Sequence, residues 1–153
     1  MKASNLVLAK DVDLKPGTFF HSGTGWHLRL LLEDSTQKYE ASIGLTGDDL
    51  GEFNFLDQPS SCMALLPRVK LQARVAGDIS GPAAPPPGSL VWGRTDISIA
   101  TGEAGAKFVL LSGTEADDVL PTKCFYATEW GLWEVDDLGN AIHSEPLLIV
   151  KAK

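Results

Sequence analysis

Ala106-Lys107-Phe108-Val109-Leu110-Leu111, bounded by Gly105 and by Ser112-Gly113, opens the stretch that decides the fold. It is short, apolar and rich in strand-favouring side chains between turn residues, and so predicts a buried strand. Thr114 to Pro121 reads as a polar corner with room for one helical turn, capped by Thr114 and stopped by Pro121. Along Lys123 to Val135 the residues Cys124, Tyr126, Thr128 and Trp130 fall on one side and Phe125, Ala127 and Glu129 on the other, the spacing of a pleated strand. Gly131 interrupts that run, where a bulge or bend would re-aim Trp133 and Val135. Asp136-Asp137-Leu138-Gly139-Asn140 has hairpin-loop composition, with Ala141 to His143 pairing back across it. Leu147-Leu148-Ile149-Val150 then closes the chain as an apolar strand expected to be covered on both faces.

The same periodicity extends toward the amino terminus. Leu6 to Ala9 is a first short strand, and Lys15-Pro16-Gly17 turns the chain into Thr18-Phe19-Phe20. Adjacent phenylalanines point to opposite sides of a strand, so one of Phe19 and Phe20 is expected at the surface as a contact residue. Ser22 to Gly25 reads as a flexible link. Trp26 to Glu33 and Tyr39 to Leu45 follow as a hairpin, with His27 and Arg29 on its polar side. Glu52 to Leu56, Val69 to Val75, Ser89 to Gly93 and Arg94 to Ala100 are further strands, the last with Ile97 and Ile99 facing inward. Between them, residues 76–88 change to Gly, Ala, Ser and Pro, including Pro82, Pro85, Pro86 and Pro87. That composition predicts a stiffened loop or arm outside any ladder.

The chain of 153 residues fits one domain, residues 1–153, since a domain of that size buries roughly 70% of the surface its unfolded chain exposes. With 13 basic against 20 acidic residues the formal net charge is −7, which repels phosphate backbones and anionic bilayers; neither nucleic acid nor membrane is an expected partner. Two cysteines, Cys62 and Cys124, make neither a disulfide framework nor a zinc site. Met1 to Leu6 has no long apolar run behind it, so no signal peptide is expected.

Reactive groups are scattered. His21, His27 and His143 lie far apart in sequence, and His27 reads as an ordinary sheet-surface histidine. The pairs Asp48-Asp49, Asp117-Asp118 and Asp136-Asp137 fall in loops without the spacing of a calcium site. No catalytic, cofactor or metal residue is assigned. A small hydrolase would require His27 or His143 to meet a Ser or Asp in a cleft. Trp92, Trp130 and Trp133 are candidates for sugar stacking, against the simpler expectation that tryptophans fill cores and interfaces.

The carboxy-terminal third, through Lys107 to Leu111, Glu115 to Pro121, Lys123 to Tyr126, Asp137 to Asn140 and Pro146 to Val150, resembles immunoglobulin-like β-sandwich domains of tailed-phage and prophage structural proteins. The resemblance implies an all-β antiparallel sandwich and a non-catalytic virion role in a tail, baseplate or capsid accessory position. Its location would be the virion, assembled in the host cytoplasm. Expected partners are other virion proteins and further copies of the chain, reached through Phe19, Phe20, Trp92 and the prolines at 82, 85, 86 and 87. A carbohydrate-binding module using Trp92, Trp130 or Trp133 is the alternative.

Overall fold

Alternating apolar side chains shape β3 (Gly25–Glu33), whose Leu28, Leu30 and Leu32 are buried on one side and which pairs along its length with β4 (Lys38–Gly44). The remaining strands are β1 (Leu6–Lys10), β2 (Phe19–Ser22), β5 (Phe53–Phe55), β6 (Ser61–Leu65), β7 (Leu71–Val75), β8 (Ile79–Ala83), β9 (Leu90–Trp92), β10 (Ile97–Ala100), β11 (Phe108–Leu110), β12 (Cys124–Ala127), β13 (Glu129–Glu134) and β14 (Leu148–Lys151). This computed structural model describes residues 5–33, 36–93, 96–102, 108–116 and 123–153. The expected positions Arg94, Ala106, Lys107, Asp117, Asp118 and Pro121 lie outside those residues.

The protein is all-β, and its strand pairs are antiparallel. A six-stranded sheet has the order β1-β6-β2-β3-β4-β5, a five-stranded sheet β11-β10-β9-β12-β8, and a three-stranded sheet β14-β13-β7. All three contribute to one core, through Leu28, Leu30 and Ile43 from the first, Leu90, Ile99 and Val109 from the second, and Trp130, Leu132 and Val150 from the third. Each of the two larger sheets also buries residues on its other face. Val91, Ala100, Phe108 and Cys124 cluster on one, and Phe20, Cys62 and Ala64 on the other, where Ala9 flanks Cys62 and Leu14 packs against them. A 3-10 turn at Asp11–Asp13 brings Leu14 into that position.

β3 joins two sheets. Its first half pairs with β2, and Arg29 continues to Thr18 and Gly17. Leu31 then donates its N–H to the Gly113 carbonyl at 2.8 Å and forms a parallel bridge with Thr114. Gly113 has φ +84°, and a Cβ there would overlap Gly17 N and the Arg29 carbonyl, so only glycine lets these backbones meet.

Several expectations change. β8 lies inside the Pro-rich segment and pairs with β12 beyond a register shift between Cys124 and Tyr126. Proline is tolerated there because β8 is an edge strand and Pro82 need not donate inward. Pro85 and Pro86 are half-buried, and Pro87 packs close to Gly51, so the segment lies on its own domain. The long strand predicted from Lys123 divides at Thr128 into β12 and β13 of different sheets. No bulge occurs at Gly131; a Cβ there would come within 3.0 Å of Pro146 and 3.2 Å of Trp133 Nε1, so glycine serves close packing. β14 buries Leu148 and Val150 but exposes Ile149 and Lys151, making it one-faced. Thr114 and Glu115 form bridges, and the rest of the expected corner, residues 117–121, lies outside the described residues. Ile97 is exposed near the sheet's end while Ile99 is buried.

Candidate functional site

Sheet edges offer unpaired backbone groups, and most edges here are short or guarded. β5 and β11 have three residues each, β8 carries Pro82 and a register irregularity, β7 carries Arg74, and β14 carries Lys151. β1 ends in a lysine too, but it is five residues long, exposes Leu8 and, among the described residues, pairs on one side only, with β6. Leu8 is 72% exposed and Val7 is exposed on the opposite face.

Register extends this surface inward. Leu8 pairs with Met63, Met63 with His21, and His21 with Trp26. These four side chains form one row across β1, β6, β2 and β3, on the face that elsewhere covers the main core. Met63 is exposed, Trp26 is half-buried, and His21 meets the Trp26 ring edge-on at 5.4 Å. At the other end of the same strands, β2 and β6 are paired only at Phe20–Ala64 and His21–Met63. Beyond these pairs they part, leaving an apolar cleft of about 450 Å³ between residues 13–19 and 64–71, with Val7 on its wall.

His27 is buried rather than on the surface, because the Asp11–Leu14 layer covers that face. Its ring stacks on Phe20 at 5.3 Å, and Nε2 lies 2.9 Å from Ser22 Oγ and 3.1 Å from Thr24 Oγ1. Ser22 to Gly25 is therefore a hairpin turn locked by the imidazole, not a flexible link. The other nitrogen, Nδ1, is buried without a hydrogen-bond partner. A proton on Nε2 is donated to the hydroxyls and leaves only a lone pair orphaned at Nδ1, whereas the other tautomer would bury an unsatisfied N–H. In the favoured form Ser22 receives a hydrogen bond and is not activated as a nucleophile.

Burial lowers the His27 pKa below its ordinary 6.5, with His21 acting in the same direction and Asp49 and Asp11 opposing it. The unfolded chain therefore takes up this proton more readily. Its contribution to stability is complete above 6.5 and is lost as the pH falls toward the folded-state value. Denaturation midpoints measured across that window are expected to fall more steeply for the native chain than for His27→Gln. Parallel pH profiles would show that His27 is not the buried titrating group.

His143 also finds an acid. Its Nε2 lies 2.9 Å from Glu134 Oε2, and Asn5 Nδ2 donates to both carboxylate oxygens of Glu134, tying the start of β1 to the end of β13. Cys62 and Cys124 are free and sit in separate buried clusters, their pKa values raised by burial and, for Cys62, by Asp11. Among the described residues no group of three or more His, Cys, Asp or Glu is placed to hold a metal, and no helix is long and apolar enough to cross a membrane.

The predicted contact residues are not brought together. Phe19 and Phe20 are both buried, Phe19 in the main core and Phe20 under Leu14, because both faces of β2 are covered. Pro82 and Pro87 are exposed, while Trp92 packs against the core opposite Ile97. Trp130 is fully buried and cannot stack on a sugar; Trp133 is half-buried with the Arg74 guanidinium 5.6 Å above its ring. Sequence reasoning missed Leu8 and Met63. Their signal was an apolar first strand with no guarding charge before Lys10. Comparison of the chain with protein-family models, curated proteins and solved structures returned no match.

Proposed function

We propose that the chain is a non-catalytic structural protein of a virion, a tail, baseplate or capsid accessory component that works by attaching other proteins. The observation that carries this reading is the apolar edge of β1, with Leu8 exposed and continuous in register with Met63 and Trp26. A partner strand laid along β1 would satisfy its outward backbone groups and bury this row. The immunoglobulin-like sandwich implied by the carboxy-terminal pattern belongs to the same proposal.

Purified particles are expected to contain the chain in stoichiometric amount, by quantitative mass spectrometry and electron microscopy. Leu8→Glu, at a position where the fold makes little demand, is expected to reduce incorporation roughly tenfold or more, the loss of a central interface contact. Absence of the chain from particles, or undiminished incorporation of Leu8→Glu, would overturn the proposal. The carbohydrate reading loses the buried Trp130 and keeps the half-buried Trp92 and Trp133, of which Trp133 has the polar neighbours Arg74 and Gln72. Arg74 already occupies one face of that ring, which places this reading second. Glycan-array binding abolished by Trp133→Ala would reverse the order.

A further inference from the structure

The free edge of β1 has a definite hydrogen-bonding order. Asn5 accepts the Leu66 N–H on its carbonyl at 3.0 Å, and Asp11 donates its own N–H to the Ser60 carbonyl at 3.0 Å, in line with the register that sets Leu6 opposite Leu65 and Lys10 opposite Ser61. Successive residues of an antiparallel ladder turn their N–H and C=O to alternate sides, so Asn5, Val7, Ala9 and Asp11 face β6. Leu6, Leu8 and Lys10 therefore turn both groups outward, where no strand of the described residues meets them.

This edge is complementary to itself. Laid antiparallel about a two-fold axis at Leu8, two copies of β1 overlap along all five residues, Leu8 opposite Leu8 and Leu6 opposite Lys10. Each of these pairs joins outward-turned residues, so every outward N–H and C=O of both strands finds a partner, whereas a shifted register leaves some unpaired. An axis normal to the sheet keeps like faces together. The row Trp26, His21, Met63, Leu8 then continues in reverse order through the second copy, and the two Leu8 side chains, each 72% exposed when alone, cover one another. Lys10 is the only charge on the strand, and this register sets it across from Leu6 of the other copy, so like charges do not face each other at the axis. The other described edges offer no such match. β5 and β11 are shorter, β7 and β8 are as long but carry Arg74 and Pro82, and β14 exposes Lys151. Pairing β1 with any of them would also be head-to-tail and would build a ring or filament in place of a closed pair.

We infer that β1 pairs with β1 of a second copy about a two-fold axis at Leu8, joining two six-stranded sheets into one. This rests on the attachment role proposed above and names a second copy of the chain as the occupant of that edge. Sedimentation equilibrium of the purified chain is expected to show a monomer–dimer exchange, weakened roughly tenfold or more by Leu8→Glu, with the thermal melt of the monomer unchanged. Oxidative cross-linking reads the register, because directly opposite residues of this kind lie about 5.5 Å apart between Cα atoms, within disulfide reach. Leu8→Cys is expected to link to its twin, and Val7→Cys, which falls opposite Ala9, is expected not to. A chain monomeric throughout, a dimer indifferent to Leu8→Glu, or equal cross-linking of the two cysteine variants would each overturn the inference. A monomeric native chain whose incorporation into particles still fails with Leu8→Glu would remove this pairing and leave the attachment role standing, and a Leu8-dependent dimer absent from particles would do the reverse.

Discussion

Trp130→Ala is expected to lower the free energy of unfolding by about 3–5 kcal/mol, the range for removing a large aromatic from a packed core. Trp130 has no solvent exposure and sits at the centre of the three-stranded sheet, paired with Val150 on one side and Val75 on the other. Its indole crosses the core and donates from Nε1 to the Gly88 carbonyl at 2.9 Å, so it also anchors the end of the Pro-rich segment. Trp130→Phe separates the two contributions. It keeps most of the packing but leaves Gly88 without this donor, and is expected to cost about 1–3 kcal/mol. Equilibrium unfolding in urea measures both. An alanine variant within about 1 kcal/mol of the native chain would mean that the three sheets do not share this core.

Arg29→Met is the second large effect, expected at about 3–5 kcal/mol because the partners of a buried ion are left unpaired. The side chain is 2% exposed. Its Nε donates to the Asp11 carbonyl at 3.2 Å, Nη1 to the carbonyls of Leu30 and Ala41, and Nη2 pairs with Glu40 Oε2 at 3.0 Å. Two strands and the Asp11–Asp13 turn thus depend on one guanidinium, whose planar fork lysine cannot reproduce. Glu40 is half-exposed, so water screens its share of the pair, and Glu40→Gln is expected to cost no more than about 1 kcal/mol. Equal losses in the two variants would show that the ion pair, and not the carbonyl network, matters.

The legible parts of the fold were those with uninterrupted alternation. Leu28, Leu30 and Leu32 against Ala41 and Ile43 announced the β3–β4 hairpin, and the composition of Asp136 to Asn140 announced the turn after β13, though only Ala141 of the returning residues forms a bridge. β6 was missed because Ser-Cys-Met-Ala-Leu has weak strand propensity, although it lies between β1 and β2. β8 was missed because Gly81 and Pro82 argue against a ladder, and only its edge position admits them. His27 and Arg29 were correctly assigned a common side of β3, but nothing local says that Asp11 to Leu14 folds over that side. The candidate surface was harder still. Both phenylalanines of β2 were expected to divide between inside and outside, and a covering layer of this kind is set by tertiary packing alone.

β3 has a temporal consequence. Its far half takes its hydrogen-bonding neighbour from Gly113 and Thr114, which the ribosome delivers long after the β3–β4 hairpin has emerged. Until then, although β4 already covers its other side, that edge of the backbone stays raw and adhesive. Severing the chain before Gly113 would yield a fragment prone to clumping, not a smaller working piece.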